Sequence, residues 1–480
     1  MINNLYKDLV VIGGNVSGLA AASQAKRVDP SLDVKVLESG GYISYGSCGM
    51  PYFISGLIEK IDALFTYPPS FFEEKRNIKI LLNHKVISIN PFKKEILFNN
   101  NSHTEYSNQT EIPLKVSGAL KYDKLIICSG ASPIVLNIPG INAKNVFNFR
   151  NISDTINLKS FIKAQNPKYA TVIGGGSVGL LLAEALNKIG IKVTIIETAK
   201  KIFKDYEDEI SNILVDKIKS SQISILTDMR INSVQENKTT GLAFLINATN
   251  TRGGISEQIE IETDLILLAA GIEANTGFIR DSSIEIGEKK AIKVNSRQQT
   301  SYTNIYAAGD CCLVKNLLTN KYDFIPTANN AIKTGRIAGG NAAGGDENFA
   351  GSLGTKADKI FGLEIARTGI GPENALDLGF NAFKITDSYQ SHIKAIPGSG
   401  AITITAIADK NSKRLLGAQM IGKECVGKRI DILAAAISRE MTVGEIYMLD
   451  LSYAPEISTV LDPVNKICAK ASLEIQKMKF

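Results

Sequence analysis

"ATVIGGGSVGLLLAEALNKIGIKVTIIE", residues 170–197, decides the fold. A short apolar run ends in three glycines. A helix of small and branched apolar residues follows, then a second apolar run closing on Glu197. That is strand, tight turn, helix and strand, the unit of a parallel sheet. Gly174, Gly176 and Gly179 complete G-x-G-x-x-G, with Ser177 and Val178 at its variable positions. A helix that starts on such a turn offers bare N–H groups and a positive dipole end, which bind anions. Glu197 lies 18 residues past Gly179 and can accept hydrogen bonds from a ribose 2′-hydroxyl. Its charge repels a 2′-phosphate, which favours NADH. Lys200 and Lys201 follow closely and keep NADPH possible.

The pattern has a twin at the start of the chain. "DLVVIGG" (8–14), "VSGLAAASQAKR" (16–27) and "DVKVLES" (33–39) repeat strand, helix and strand. The turn reads Gly13-Gly14-Asn15-Val16-Ser17-Gly18, with Asn15 where the middle glycine belongs, and Glu38 stands 20 residues past Gly18. Two such units about 160 residues apart are a duplicated domain type rather than a short-period repeat. A second dinucleotide site beside one for NAD(P)H suggests FAD. "IYAAGDC" (305–311) then supplies Asp310, suited to a ribityl hydroxyl. The alternative, a unit of this type that binds nothing, stays open at this point.

The remaining segments extend the plan. "NNNSHTEYSNQTEIPLKVSGALKYD" (99–123) reads as a hairpin excursion. "KLIICSGASP" (124–133) and "TDLILLAAGIEANTGF" (263–278) read as buried strands that end in turns. "IAGGNAAGGDENFAGSLGT" (337–355) is the best linker candidate. Beyond it, "GAITITAIADKNSKRLLGAQMIG" (400–422) is a hairpin of strands, and "KRIDILAAAISREM" (428–441) and "VLDPVNKICAKASLEIQK" (460–477) are helices. The expected fold is α/β, with two Rossmann-like dinucleotide-binding domains and an α+β C-terminal domain. The expected boundaries are 1–150 with 272–336 for FAD, 151–271 for NAD(P)H and 337–480 for the third domain.

Bulk properties agree. At 480 residues, 44% hydrophobic and 21% charged, the chain reads as a multidomain globular protein. The net charge of 54 − 48 = +6 is spread along the chain, so a nucleic-acid partner is not expected. The N-terminus lacks the pattern of a secretory signal, and no apolar run approaches the ~18 residues of a membrane span. Six cysteines are no disulfide scaffold, which favours a reducing, cytoplasmic location. His84, His103 and His392 show no metal-ligand spacing.

"ISYGSCGMPY" (43–52) sets Cys48 between Gly46 and Gly49 with no second cysteine nearby. On the residues alone it is either a reactive thiol or a small residue in a tight turn. Ser47-Cys48-Gly49 should begin a helix, where the dipole and free N–H groups stabilise a thiolate.

The glycine turns, "YDKLIICSGASP" (122–133), "LLAAGIEANT" (267–276), "NIYAAGDC" (304–311) and "SYGSCGMPY" (44–52) together resemble the flavin-dependent pyridine nucleotide–disulfide oxidoreductases. The single Cys48, in place of a C-x-x-x-x-C pair, resembles the branch that holds NADH oxidase, NADH peroxidase, coenzyme A-disulfide reductase and the persulfide or polysulfide reductases. "ASQAKRVD" (22–29), "GKECVGKRIDIL" (422–433) and "YAP" (453–455) resemble coenzyme A-disulfide reductase. Val16 stands where the oxidases and peroxidases carry a histidine. Ala395-Ile396 stands where a tyrosine pair is common before Pro-Gly.

The resemblance implies a homodimer acting on a small-molecule disulfide, persulfide or polysulfide. Cys48 alternates between thiolate and a mixed disulfide with coenzyme A, or a persulfide. Tyr453, from the neighbouring subunit, orients or protonates the leaving thiolate. FAD contacts fall on Gly13, Gly14, Val16, Ser17, Gly18, Glu38, Ser47, Val86, Ser129, Gly130, Gly309, Asp310 and Ala328. The nicotinamide dinucleotide falls on Gly174, Gly176, Ser177, Val178, Gly179, Glu197 and Gly271. Coenzyme A falls on Lys26, Arg27, Ser44, Lys75, Arg76, Lys428 and Arg429: Lys26 and Arg27 could instead complement a helix C-terminus and Lys75 and Arg76 form a solvated face, Lys428 and Arg429 open a helix where the dipole does not favour cations, and Ser44 could hydrogen-bond the pantetheine amides. Cys128, Cys311, Cys312, Cys425 and Cys468 read as structural. Two rivals stay open: an NADH oxidase forming peroxide or water, and a redox-sensing flavoprotein without turnover.

Overall fold

A computed structural model describes residues 7–100, 116–252 and 256–477. The tip of the 99–123 excursion and His103 lie outside the described residues; the strands that flank it, Glu95–Asn99 and Gly118–Lys121, pair antiparallel.

The two quoted β-α-β units build two parallel five-stranded sheets. In the first, Asp8–Ile12 lies between Asp33–Leu37 and Lys124–Ile127, with Ile78–Leu81 and Ile305–Ala307 at the edges. In the second, Tyr169–Ile173 lies between Lys192–Ile196 and Leu265–Leu268, with Ser224–Leu226 and Val146–Asn148 outside. The central strands are buried on both faces, as parallel strands covered by helices must be. Val146–Asn148 belongs to the second sheet, so that unit starts before residue 150.

The third unit is an antiparallel sheet of Lys356–Ile360, Leu363–Gly369, Leu415–Gly422, Ala401–Asp409 and Ala382–Gln390, in that order. Helices Val426–Ser438 and Pro463–Lys477 bury Ile430, Leu433, Ile467 and Ala471 against it. An ionic seam joins it to the second unit. Lys384 Nζ pairs with Glu207 at 2.9 Å, and the Glu207 N–H donates to Gln419 Oε1 at 2.7 Å.

One expectation fails instructively. The glycine-rich stretch from 337 was read as the start of a linker, but helix Ala328–Ala342 runs through it. Its glycines are packing residues. A Cβ on Gly335 would collide with the Ser17 carbonyl oxygen, and one on Gly339 with that of Ala21, because this helix crosses Val16–Val28 backbone to backbone. Glycine is used here for close approach rather than for freedom. The helix therefore belongs to the first unit, and the boundary lies beyond residue 342. Gly339→Val should cost about 3 kcal/mol through overpacking, read as a lower melting temperature. An unchanged melt would mean that the helices do not cross this closely.

Candidate active site

The glycine turns form two cradles of one design. Gly13 and Gly174 take φ of +107° and +115°, where a side chain would strain the backbone and strike the next strand. Glu38 Oε2 accepts from the Gly14 N–H at 2.8 Å, and its Oε1 from the Gly40 N–H at 2.8 Å. Glu197 does the same with Gly175 at 2.8 Å and Ala199 at 2.8 Å. Each carboxylate thus ties the end of the second strand to the turn and faces the place where a ribose would lie. A Cβ on Gly176 would meet nothing within 4 Å, so the second turn is open. Both cradles fit an adenine dinucleotide.

The other expected cofactor residues sort by what they offer. Ser17 is buried beneath Gly309 and Gly335, and Val86 lies in the first unit's core, so both can offer backbone only. Gly130, Gly271 and Gly309 all take positive φ in the loops beyond their strands. Ser129 Oγ donates to the Asn275 carbonyl at 2.7 Å, joining the Gly130 loop to the end of strand Ile272–Ala274. Val178 and Ala328 are exposed. Asp310 stands at the end of its strand and pairs with Arg150 Nη2 at 2.8 Å; Arg150 Nε also donates to the Ala131 carbonyl at 2.9 Å. Sequence reasoning missed Arg150, because only the fold brings it to Asp310.

Cys48 is exposed, in a 3₁₀ turn Ser47–Gly49 that leads into helix Met50–Ile54. This is shorter than the helix expected there. Its burial explains its place. Met50, Ile54 and Leu64 leave the first sheet and join the core of the second unit, with Leu180, Leu158 and, from the third unit, Phe361. Lys159 Nζ donates to the carbonyls of Ile54 at 2.6 Å and Phe53 at 3.1 Å, a cation on the helix's C-terminal end. Burial lowers the Lys159 pKa. Tyr52, its pKa raised by burial, feels Glu184 of the second unit, Asp358 of the third and Cys48 itself. The helix that starts two residues after Cys48 therefore packs against the second and third units. Asp358, also raised by burial, accepts from Ser177 Oγ at 2.7 Å at the mouth of the second cradle. No sequence signal pointed to Lys159 or Asp358.

Beside Cys48 the chain is shaped by Ser44, at φ +55°, whose N–H donates to the Gly14 carbonyl at 3.2 Å. A cavity of about 350 Å³ opens at Ile43, the residue before Ser44, walled by Tyr42, Asp62, Phe65, Tyr67 and Pro68. Helix Pro69–Arg76 follows; there Lys75 is exposed and the Arg76 guanidinium lies 5.1 Å from the Phe71 ring centre.

The basic residues expected to meet coenzyme A divide. Arg27 is exposed. Lys26 spends its ammonium on the Pro30 and Leu32 carbonyls at 2.7 and 2.8 Å, finishing the first helix. Lys428 is exposed and pairs with Asp431 at 3.2 Å. Arg429 is a correction: it is 5% exposed and ion-paired with Asp462 at 2.9 Å, so it cannot meet a ligand. The start of their helix is satisfied by Glu364, whose Oε2 accepts the Val426 N–H at 2.8 Å. Tyr453 is 47% exposed on the third unit, among the exposed apolar residues Met448, Ile457, Val460 and Leu461.

Among the described residues no group of histidine, cysteine and carboxylate side chains could hold a metal ion, and no helix is long and apolar enough to cross a membrane.

Residues 7–335 match the family model described as pyridine nucleotide-disulphide oxidoreductase, and residues 358–463 match its dimerisation domain. The chain is similar to the NAD(P)H coenzyme A polysulfide/persulfide reductase of Pyrococcus horikoshii, 31% identical over 468 residues, 97% of this chain and 98% of that one. It is similar to the coenzyme A disulfide reductase of Staphylococcus haemolyticus, 29% identical over 466 residues, 97% and 99% of the two chains. Among solved structures, reduced Bacillus anthracis CoADR-RHD matches with a TM-score of 0.90 and 30% identity over 98% of this chain and 81% of that one.

The cysteines make a direct check. Burial raises the Cys128 and Cys312 thiols and pushes Cys311 to about 11 and Cys468 to about 12. After reduction, iodoacetamide at pH 8 should label Cys48 and Cys425 and spare the other four until the chain is denatured, read by peptide mass spectrometry. Equal labelling of Cys311 in the folded protein would contradict this burial.

Proposed function

The chain belongs to the pyridine nucleotide-disulphide oxidoreductase family, and from that premise we propose that it reduces coenzyme A disulfide, or coenzyme A persulfides and polysulfides, with Cys48 as the sulfur nucleophile. It is an FAD-dependent NAD(P)H oxidoreductase. The observation that carries the reading is Cys48 itself: one exposed thiol two residues before a helix that packs against the second and third units, with four of the other five cysteines buried. A lone cysteine suits a substrate that supplies the second sulfur.

The first cradle would hold FAD through Glu38, the glycine turn and Asp310. The second would hold the nicotinamide dinucleotide through Glu197 and its own turn. Together, when bound, these groups supply two electrons to a sulfur.

This chain's residues do the rest. The Cys48 thiolate attacks one sulfur of the substrate disulfide; the S–S bond breaks and one thiolate leaves, while Cys48 keeps the other half as a mixed disulfide. Tyr453 of a second copy gives the leaving thiolate its proton or orients it. Two electrons and a proton then free the second thiol and restore Cys48. The sum is one disulfide, one NAD(P)H and one proton giving two thiols and NAD(P)⁺. Arg27, Lys75, Arg76 and Lys428 supply local positive charge for the phosphates of coenzyme A, and the aromatic cavity beside Ser44 gives its organic part a wall. The family's dimerisation domain and the apolar face around Tyr453 support a homodimer. The functional units are the first sheet with helix Ala328–Ala342 for FAD, the second sheet for the dinucleotide and the third unit for dimerisation.

Cys48→Ser should lower disulfide reduction about a thousandfold or more. Intact mass spectrometry of the unreduced wild type should show coenzyme A, or added sulfur, on Cys48. Full activity in the variant would contradict the mechanism. Glu197 repels a 2′-phosphate, so kcat/KM for NADH should exceed that for NADPH by about tenfold or more. The reverse order would mean that the lysines after Glu197 dominate.

A further inference from the structure

Arg429 is a charged side chain in a place where an apolar one would pack. It sits on helix Val426–Ser438 and is 5% exposed. Its Nε donates to both carboxylate oxygens of Asp462, at 3.1 and 2.9 Å. Its Nη2 donates to the Ser391 carbonyl at 2.9 Å, to Ser458 Oγ at 3.3 Å and to the Ile457 carbonyl at 3.4 Å. Ser458 Oγ in turn donates to Asp462 Oδ2 at 2.7 Å. One guanidinium thus joins two stretches that are far apart in sequence: Ser391, and the segment from Ile457 to Asp462.

Those stretches frame Tyr453. The N–H groups of Ile457 and Ser458 donate to the Ala454 carbonyl at 2.9 and 3.0 Å, which closes the turn directly after the tyrosine. The Ile393 N–H donates to the Pro455 carbonyl at 3.2 Å, so the loop that begins at Ser391 lies along that turn. A second tie holds this loop: Ser391 Oγ donates to Glu424 Oε1 at 3.0 Å, and His392 Nδ1 lies 2.9 Å from the same oxygen. The loop and the turn together carry Ala395-Ile396 and Tyr453 on the exposed face of the third unit.

A buried ion pair is weak evidence for stability, because desolvation offsets its attraction. What a guanidinium does that Leu or Met cannot is fix several acceptors in set directions from one planar group. We propose that Arg429 is a positioning residue for Tyr453: by fastening the 391 loop and the 454–458 turn to Asp462, it sets the phenol on the face that meets a second copy. This rests on the reading of Tyr453 as the residue that serves the leaving thiolate. It also explains why an arginine in a basic, ligand-like sequence is not itself a ligand residue.

The test uses the FAD-loaded dimer with NADH and coenzyme A disulfide, and the variants Arg429→Lys, Ser458→Ala, Tyr453→Phe and the double variant Arg429→Lys/Tyr453→Phe. Arg429→Lys keeps the charge and loses the fork. It should lower kcat about tenfold or more while leaving the KM for NADH unchanged. Ser458→Ala removes one buried hydroxyl while leaving the ion pair in place, and should move kcat the same way by a smaller factor. The double variant should be no slower than Tyr453→Phe alone, because the two act through one group. Hydrogen exchange across 452–461 should speed about tenfold in Arg429→Lys. Losses that multiply in the double variant, or unchanged exchange in Arg429→Lys, overturn the positioning role while leaving Tyr453 in place. A Tyr453→Phe variant with wild-type kcat overturns the role of Tyr453 and this proposal with it.

Discussion

The short helix Met50–Ile54 is buried in a core that its own sheet does not build. Met50, Ile54 and Leu64 leave the first unit and pack among residues of the second, and each such side chain is worth about 1.5–3 kcal/mol of apolar burial. That burial, with Lys159 on the helix's last carbonyls, fixes the 3₁₀ turn before it, and so fixes Cys48. Everything said of chemistry depends on this. A thiol on a free loop would react with whatever reached it. A thiol on a turn fixed by such a helix keeps one position for its partner.

The same economy governs the two cradles. A glutamate at the end of the second strand holds the glycine turn by its N–H groups, and the arrangement occurs twice with nearly the same distances. The dinucleotides are thus offered preformed sites whose polar groups are already oriented, so little ordering is left for binding to bring about. The cost is strain at Gly13 and Gly174, which only glycine tolerates.

How far the sequence reached follows from the range of the forces involved. Strand, turn and helix are local, and "ATVIGGGSVGLLLAEALNKIGIKVTIIE" announced its unit almost to the residue, down to Glu197 on the turn. Cys48 was singled out by its neighbours and its solitude, and the structure leaves it exposed. What stayed hidden depended on partners far along the chain. Gly339 looked like part of a linker because nothing nearby reveals that another helix lies against it. Lys428 and Arg429 looked alike, yet one is exposed and the other buried on Asp462, a distinction made by a helix that comes later. Arg150, Lys159 and Asp358 gave no local signal, and each acts across a boundary between units.

The central claim is that Cys48 takes up half of its substrate and is then restored by electrons from the FAD that the first cradle would hold. A crystal structure of the FAD-loaded enzyme treated with coenzyme A disulfide tests this most directly. The account predicts continuous density from Cys48 Sγ into the sulfur of coenzyme A, with Sγ in contact with the isoalloxazine ring. A bare Cys48, screened from the ring by protein while the substrate lies elsewhere, would contradict it.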